Sequence, residues 1–554
     1  MSALTRFIPA SPQVLLSTVP AVLALPFLFS LTGWQPLADA FSLPGYWKSV
    51  AVALLSASLG TLLATVLATA LLARALSSAS SWLTWIMPPL LATPHAAMAV
   101  GLAFLFAPSG WLLRLVSPWA TGLERPPTFS VLQDEWGLFL AFGLALKELP
   151  FIVLLSLSAG RREKLEPGFR LARSLGYPPR TAFLKVMAPQ LLKSMTLPIT
   201  IAFIYGLSAV DMGSVLGPTT PPPLSVLALG KLSDPDPTIW RQGIALSLHL
   251  AVLTLLSLAV FSLLLNLLRP VARRWASNGV RHSAPGKGLG VMAPVAVFVF
   301  AASVLSFVGL LLWSFAKRWR FPDTLPSTWV EASWIWERGV LSMQSLNTLW
   351  LALVSALMGL LLAFLFLLAE RRFRRPPGSR YIWTSLAIVP LLVPQMTLVP
   401  ALLLLDLKFF GLSPWLLALW GHVMFTAAYS YLTLSGPVLS LDARYRRTGL
   451  ALGQNRFQTL WKIELPLLFR PIMASLAIGL SVSVASYLPT LTLGQGRIET
   501  FTIEAVAAAT GGSRRTAAQF ALAQTFWALL FFFGALALPN LVFRNRQGMK
   551  SHVA

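Results

Sequence analysis

The feature that most restricts the fold of this chain is a series of long apolar runs separated by short polar segments. Hydrophobic residues make up 56% of the 554 residues and charged residues only 11%, whereas soluble proteins have about 25% charged residues. About 20 apolar residues suffice for one helix to cross a bilayer. A membrane β-barrel would instead show short alternating segments. The chain is therefore predicted to be a polytopic α-helical membrane protein.

Twelve spans are predicted, six in each half. The predicted fold class is an all-α integral membrane protein whose twelve transmembrane helices form two six-helix bundles. Because six is an even number, both bundles have the same orientation, and the repeat is parallel about an axis along the membrane normal. The predicted spans are 14–32, 47–75, 82–107, 136–158, 194–217, 240–268, 291–315, 343–370, 381–405, 414–437, 471–493 and 517–543.

A basic, Gly/Pro-rich segment that begins at Arg269 divides the two halves. Such composition is typical of a linker. We predict a first membrane domain over 1–268, a cytoplasmic linker over 269–290 and a second membrane domain over 291–554. The first apolar run has no convincing cleavage site and is followed by further spans, so it is interpreted as an uncleaved helix.

Lys and Arg outnumber Asp and Glu by 43 to 19, which gives a formal net charge of +24. With both termini in the cytoplasm, the excess falls in the predicted cytoplasmic segments. The positive-inside rule explains this bias in short loops. The charge is therefore no indication of nucleic-acid binding.

A short polar pattern occurs twice, 277 residues apart, which is half the length of the chain. Each copy lies between apolar stretches at a matching place in its half. Two equivalent polar loops predict two equivalent docking surfaces for a soluble partner. The identical pairs in this window are Arg170/Arg447, Leu175/Leu452, Gly176/Gly453, Lys185/Lys462, Pro189/Pro466 and Leu191/Leu468.

Each loop is predicted to form a short helix, a turn at its glycine, and a second helix that leads into the next span. Gly176 and Gly453 suit the left-handed position that ends a helix. Pro178-Pro179 suits the restart in the first copy, and Asn455 suits the N-cap of the restart in the second copy. Pro189 and Pro466 are placed to begin the return to the membrane. Small residues and leucines at helical spacing, including Ala172 and Gly449, are expected to face a partner groove.

These loops resemble those of the permease subunits of binding-protein-dependent ABC importers. In that family the loop contains Glu-Ala-Ala, three residues, Gly, and then a spaced Ile/Val-x-x-Pro. Here the glycines and prolines match, and Val186 and Ile463 match the apolar position. The Glu-Ala-Ala is replaced by Arg170-Leu171-Ala172 and by Arg447-Thr448-Gly449. The resemblance covers nearly the whole chain and is closest to fused permeases of the thiamine and ferric-iron types.

The resemblance implies a bacterial inner-membrane permease with both termini in the cytoplasm, moving a small solute delivered by a periplasmic binding protein. Residues 168–180 and 445–457 would be the coupling helices that dock into a separate ATPase, with one ATPase copy for each loop. The chain lacks the Gly-x-x-x-x-Gly-Lys-Ser/Thr phosphate-binding loop, so it is not expected to hydrolyse ATP. The alternative for these loops is an amphipathic surface helix held by anionic lipid.

Lys147 and Glu148 lie near the middle of the predicted fourth span. An unpaired charge at the bilayer centre costs about 2.5–3.5 kcal/mol on insertion scales, so both are predicted to face protein or water. Since adjacent residues point in different directions around a helix, separate partners are expected. The corresponding residues of the second half are Met424 and Phe425, which favours a structural or cavity role over substrate contact.

Asp211 and Tyr487 are further candidates for the transport pathway. Asp211 precedes an exit loop whose Gly217 recurs 277 residues later as Gly494. Asp211 either faces the pathway or is an interfacial charge.

The histidines His95, His249 and His422 lack metal-ligand spacing and are interpreted as hydrogen-bonded bundle residues. No metal, cofactor or catalytic residue is predicted, and the chain contains no cysteine.

Two other function classes are considered. An ion- or proton-coupled secondary transporter would need coupled carboxylates near mid-membrane, where Glu148 is the clear acid. A lipid-processing enzyme would need a catalytic cluster, which the sequence does not show.

Prolines in the third and ninth spans predict kinks, which either form a flexible lining of a pathway or are ordinary packing features. These are Pro88, Pro89, Pro94, Pro390, Pro394 and Pro400.

Overall fold

The protein is described here from a computed structural model that covers residues 28, 34–78, 82–158, 162–281, 288–331, 335–339, 342–372 and 377–544. These residues are overwhelmingly helical, so the all-α class is confirmed. A short antiparallel pair, β1 (Ala316–Arg318) and β2 (Thr328–Trp329), was not predicted. It lies between the helices that correspond to the predicted seventh and eighth spans.

The helices of the first half lead from the start of the described chain to the linker. They are α1 (Trp34–Ala40), α2 (Tyr46–Ser78), α3 (Trp82–Ala92), α4 (His95–Phe106), α5 (Trp111–Val116), α6 (Leu138–Ser158), α7 (Arg162–Ser174), α8 (Pro179–Ala182), α9 (Ala188–Ser208), α10 (Val210–Leu216), α11 (Leu224–Leu232) and α12 (Pro237–Ser277).

The second half continues the series. Its helices are α13 (Gly288–Phe315), α14 (Met343–Arg372), α15 (Pro377–Leu392), α16 (Gln395–Phe409), α17 (Pro414–Ser440), α18 (Ala443–Ala451), α19 (Arg456–Thr459), α20 (Leu465–Ala485), α21 (Tyr487–Leu493), α22 (Phe501–Thr510) and α23 (Arg514–Val542). Short π-helical segments occur at Phe183–Met187, Ile335–Gly339 and Leu460–Glu464.

Nine helices of the described chain are long and apolar enough to cross a bilayer, or ten if the bent pair α15–α16 forms one span. The predicted first span, 14–32, lies outside the described residues apart from Leu28. Helix α17 occupies the predicted tenth span and has 27 residues. It is not among the nine because polar residues such as His422 and Thr426 interrupt its apolar sequence. The total of twelve spans stays a prediction.

Prolines break the helices of the predicted third and ninth spans, as the sequence indicated. Helix α3 ends at Ala92 and α4 starts after Pro94, while α15 ends at Leu392 and α16 starts after Pro394. Proline lacks an amide hydrogen and disfavours helical backbone at the residue before it. The second break turns the chain by 94°.

The order of elements after each loop repeats at the 277-residue interval. The two π-helical segments begin at Phe183 and Leu460, α9 and α20 begin at Ala188 and Leu465, and α12 and α23 begin at Pro237 and Arg514. Packing repeats as well: α2 lies against α6 and α9, and α14 lies against α17 and α20. This correspondence is what a duplicated sequence predicts, and the grouping into two six-helix bundles stays a prediction.

The two halves of the sequence are interleaved in space. Helix α13, the first described helix of the second half, packs on α4 of the first half, and α12 packs on α16. Buried Phe501 and Phe520 belong to the same core cluster as Leu140 and Phe104. The segment predicted as a linker over 269–290 is helical at both ends, since α12 extends to Ser277 and α13 begins at Gly288.

Glycine permits close helix contact at equivalent crossings in the two halves. A Cβ atom added to Gly60 on α2 would lie 2.8 Å from Ala141 O on α6. One added to Gly359 on α14 would lie 2.7 Å from Ala427 N on α17. Small residues let helix backbones approach in this way in membrane bundles. Neither crossing has space for a larger side chain.

We therefore expect Gly359→Ala to destabilise the protein, because the methyl group meets backbone that cannot move without shifting a helix. Overpacking of this kind costs about 1–3 kcal/mol. Thermal unfolding of the purified protein in detergent measures the effect. Gly436→Ala is the matched control, since nothing lies within 4 Å of a Cβ at that helical glycine. Equal losses in the two variants would contradict the close-contact explanation.

Candidate functional site

Both polar loops end their first helix with the same backbone geometry. Gly176 has φ +84° and Gly453 has φ +80°, a region that glycine enters without steric cost. The amide of the residue after each glycine donates to a carbonyl five residues earlier, Tyr177 to Ala172 and Gln454 to Gly449, both at 3.1 Å. This is the Schellman helix ending. The predicted left-handed helix endings at the two glycines are therefore present.

The restart of the second helix also follows the prediction. Pro179 is in the first turn of α8. In the second copy, Asn455 and Gln458 form a reciprocal capping box at the start of α19. Pro189 and Pro466 lie in the first turns of α9 and α20. The predicted coupling segments 168–180 and 445–457 thus contain the end of α7 or α18, the glycine turn and the start of α8 or α19.

The small residues of the loops face the protein rather than a partner, which corrects the expected docking face. Ala172 is only 5% exposed. A Cβ on buried Gly449 would lie 2.9 Å from atoms of Thr459 and Ile463. These positions are small because the first helix packs closely on the helix that returns to the membrane. Ala172 and Gly449 therefore shape the loop from inside.

The leucines and arginines of the loops face outward. Leu175 is 52% exposed and Leu452 is 74% exposed, and Arg170 and Arg447 are also exposed. The second loop adds an aromatic pair, Phe457 and Trp461, whose rings lie 5.9 Å apart. These side chains form the surface that a partner can reach. We call them the loop surface.

Different contacts anchor the two loops. Lys185, next to the first loop, donates to Asn278 Oδ1 (2.6 Å) and Val280 O (2.9 Å) beyond the end of α12. Near the second loop, Arg371 at the end of α14 forms a buried ion pair of 3.1 Å with Glu464. The anchoring contacts therefore differ between the two loops, although Lys185 itself recurs as Lys462 in the second half.

A central cavity of about 400 Å³ lies between the two halves. Its walls come from α3, α4, α6 and α9 of the first half and from α17, α20 and α23 of the second. Most of its lining is apolar, for example Leu154, Ile478 and Phe532. A smaller extension of about 60 Å³ shares part of this lining and adds Asp211 and Tyr487. All four pathway candidates, Lys147, Glu148, Asp211 and Tyr487, thus line these two spaces.

Lys147 and Glu148 are both buried, and they contact opposite sides of the break between α3 and α4. The Lys147 ammonium donates to Leu91 O (2.8 Å) and Leu90 O (3.5 Å), carbonyls in the last turn of α3. A cation is favourable at this end of a helix, where carbonyls lack partners. Glu148 Oε1 lies 3.3 Å from Nε2 of His95, the first residue of α4. The expected separate partners are therefore present.

A chain of side-chain contacts connects Glu148 with Asp211. The His95 ring lies 4.4 Å from the Tyr205 ring, and the Tyr205 hydroxyl donates to Asp211 Oδ1 at 3.0 Å. Asp211 is buried rather than exposed at the helix surface. Tyr487 lines the same extension from the second half. The structure therefore brings together acids that are 63 positions apart in sequence, at 148 and 211.

The second half has a different polar network at the corresponding depth. His422 lies 2.6 Å from Ser483 Oγ and 2.9 Å from Thr490 Oγ1. The positions that correspond to Lys147, Glu148 and Asp211 at the 277-residue interval are Met424, Phe425 and Leu488, all buried and apolar. Charge in the central cavity thus comes from the first half alone.

Three residues with polar rings also line the cavity and were not among the site residues predicted from the sequence. They are His95, Tyr205 and Tyr429. The interpretation of the histidines as hydrogen-bonded is supported, since His249 lies 3.0 Å from the Tyr46 hydroxyl in addition to the contacts above. The position of His95 directly after Pro94, at a helix break, is the signal that would have identified it. Nothing in the sequence relates Tyr205 to Tyr429, which meet only through packing of the two halves.

Comparison with known proteins agrees with this arrangement. Residues 368–543 match the family described as binding-protein-dependent transport system inner membrane component. Over 549 residues the chain is 29% identical to the inner membrane ABC transporter permease protein YnjC of Escherichia coli strain K12, covering 96% of this chain and 95% of that protein. No solved structure matches the chain. The chain is therefore similar to inner membrane permeases of binding-protein-dependent ABC transport systems.

Proposed function

We propose that this protein is the membrane-spanning permease of an ABC importer, which takes a small solute from a periplasmic binding protein and releases it into the cytoplasm. Separate ATPase subunits would dock on the two loops, one copy on each. Both termini and both loops would lie on the cytoplasmic side. The family match and the similarity to a bacterial inner membrane permease support the transporter class.

The duplicated loop supports this proposal best. In each loop the first helix ends in a glycine turn, and a second helix then continues directly into a long apolar helix. A force applied at the loop would therefore be transmitted into the membrane. The π-helical segments Phe183–Met187 and Leu460–Glu464 make that connection continuous in both halves. The loop surface combines arginines with exposed leucines and, in the second loop, two aromatic rings. Its apolar part is suited to insertion into an apolar groove of a partner.

Alternating access would change the cavity between the halves. Helices from both halves form its walls, so movement of one half against the other changes its opening. Lys147, Glu148, Asp211 and Tyr487 would line the pathway. The buried contacts of Lys147 with the carbonyls of α3 would keep the helix break intact during this movement.

A secondary transporter is the alternative, because Glu148 and Asp211 both face the central space. Reconstitution separates the two classes. We expect solute uptake in proteoliposomes that contain the permease, its ATPase and its binding protein to require ATP hydrolysis and to persist when ion gradients are collapsed. Uptake by the permease alone that follows a proton or sodium gradient would contradict the proposal.

Charged substitutions in the loop surface should weaken ATPase binding. We expect Leu452→Asp with Phe457→Asp to reduce co-purification of the ATPase at least tenfold, since each change places a charge in an apolar contact. Phe129→Asp is the matched control, because Phe129 is also strongly exposed, at 70%, but lies outside both loops. Unchanged ATPase binding in the double variant, measured with monodisperse protein, would exclude this surface as the docking site.

The glycine turns give a second test of coupling. Replacing Gly176 and Gly453 by valine forces a branched side chain into left-handed backbone, which costs about 1–2 kcal/mol at each position. We expect ATP-driven uptake to fall more than ATPase binding, because the turn directs the push while the exposed leucines make the contact. Gly411→Val, another position with positive φ (+64°), controls for loss of stability alone. Full uptake in the double variant would contradict a role of the turns in coupling.

A further inference from the structure

We propose that the central cavity binds an organic cation, held by the carboxylates of Glu148 and Asp211 and by the ring faces of Tyr205, Tyr429 and Tyr487. This assignment rests on the proposed permease function in one respect, namely that the cavity is part of the transport pathway. It adds the chemical class of the substrate.

The charges around the cavity favour a cationic ligand. The Lys147 ammonium is already engaged by two backbone carbonyls. Each carboxylate has one oxygen in contact, Glu148 Oε1 with His95 and Asp211 Oδ1 with Tyr205. The described residues provide no hydrogen bond for Glu148 Oε2 or Asp211 Oδ2. Both carboxylates are 6% exposed, so a cation in the cavity would meet acceptors that are shielded from bulk water.

The aromatic lining favours the same charge. Tyr205 and Tyr429 border both the main cavity and its extension, and Tyr487 borders the extension. The face of an aromatic ring attracts a cation, by about 0.5–1 kcal/mol at exposed sites and about 2 kcal/mol when the pair is desolvated. Two of these rings come from the second half, whereas both carboxylates come from the first. A ligand would therefore contact both halves at once.

The size and lining of the cavity suit a small organic molecule. No group of three or more His, Asp or Glu side chains in the described part of the chain is arranged to hold a metal. A cavity of about 400 Å³ is instead within the usual size of small-molecule sites, about 300–1,000 Å³. Leu154, Ile478 and Phe532 provide apolar surface for the body of the ligand.

The asymmetry of the halves gives the ligand one orientation. Met424, Phe425 and Leu488 replace the charged residues at the corresponding positions of the second half. The cationic group would lie toward α6 and α10, where Glu148 and Asp211 are located. The apolar body would lie toward α20 and α23. A ring of charge around the pathway, by contrast, would permit two equivalent orientations.

Equilibrium binding of radiolabelled benzyltrimethylammonium to the purified full chain in lipid nanodiscs tests this inference. We expect saturable binding, above that of empty nanodiscs, that tetraethylammonium displaces and that neither N,N-dimethylbenzamide nor benzenesulfonate displaces. Glu148→Gln and Asp211→Asn should each weaken binding at least tenfold. Tyr429→Leu should weaken it about fivefold through loss of the ring face, and Tyr429→Phe should not.

Glu135→Gln is the control for general loss of charge, because Glu135 is exposed and pairs with Lys48 outside the cavity. Asp211→Asn keeps an acceptor for the Tyr205 hydroxyl and so tests the charge with little risk to folding. Unchanged affinity in both carboxylate variants, binding no greater than that of empty nanodiscs, or preferential displacement by benzenesulfonate would overturn the inference.

This measurement needs neither an ATPase nor a binding protein, so its result is separate from the proposed importer function. Leu452→Asp/Phe457→Asp should bind benzyltrimethylammonium with native affinity even where ATP-driven uptake is lost. Native uptake together with no cation binding would reject the substrate class and leave the permease function intact. Cation binding without ATP-dependent uptake would support the substrate class and reject the importer function.

Discussion

The break between α3 and α4 leaves backbone carbonyls without helical partners in the interior of a helical membrane protein, and the central site is organised around their satisfaction. Hydrocarbon offers no hydrogen bonds, so broken helices persist only where protein or a water-filled space supplies partners. Lys147 supplies them for Leu90 and Leu91. With Lys147 held there, the adjacent Glu148 is directed to His95 at the start of α4. One local defect thus positions two charges beside the cavity.

The equivalent break in the second half has different neighbours. Helices α15 and α16 meet at 94°, and α17 presents Met424 and Phe425 where α6 presents a lysine and a glutamate. Polar contacts in this half centre on His422, Ser483 and Thr490. The duplicated backbone has therefore been kept while the chemistry of its interior has diverged. The central cavity therefore has walls from both halves, with Lys147 and Glu148 on the side of the first half.

The loops show the same division between backbone and surface. Their helix endings agree in hydrogen bonds and in glycine φ, because the Schellman ending depends on one glycine and on backbone alone. Their outer faces and anchors differ, since exposed side chains are constrained only by what they contact. The second loop presents Phe457 and Trp461 where the first has Arg180 and Leu184. Helix α13 packs on α4, and α12 packs on α16, so each half forms part of the packing of the other. A force applied at either loop would therefore reach helices of both halves.

The amino-acid sequence by itself determined the helical membrane class, the proline breaks, the glycine turns and the restart caps. Each of these depends on local backbone chemistry or on the hydropathy of one segment, which can be judged within about 20 residues. Tertiary structure decided that Ala172 and Gly449 face inward, because helix-to-helix packing has no signature in a single loop. It also decided that His95, Tyr205, Asp211 and Tyr429 meet Glu148 around one cavity. These five residues come from five helices of both halves, and only the packing of those helices fixes which side chains share a space.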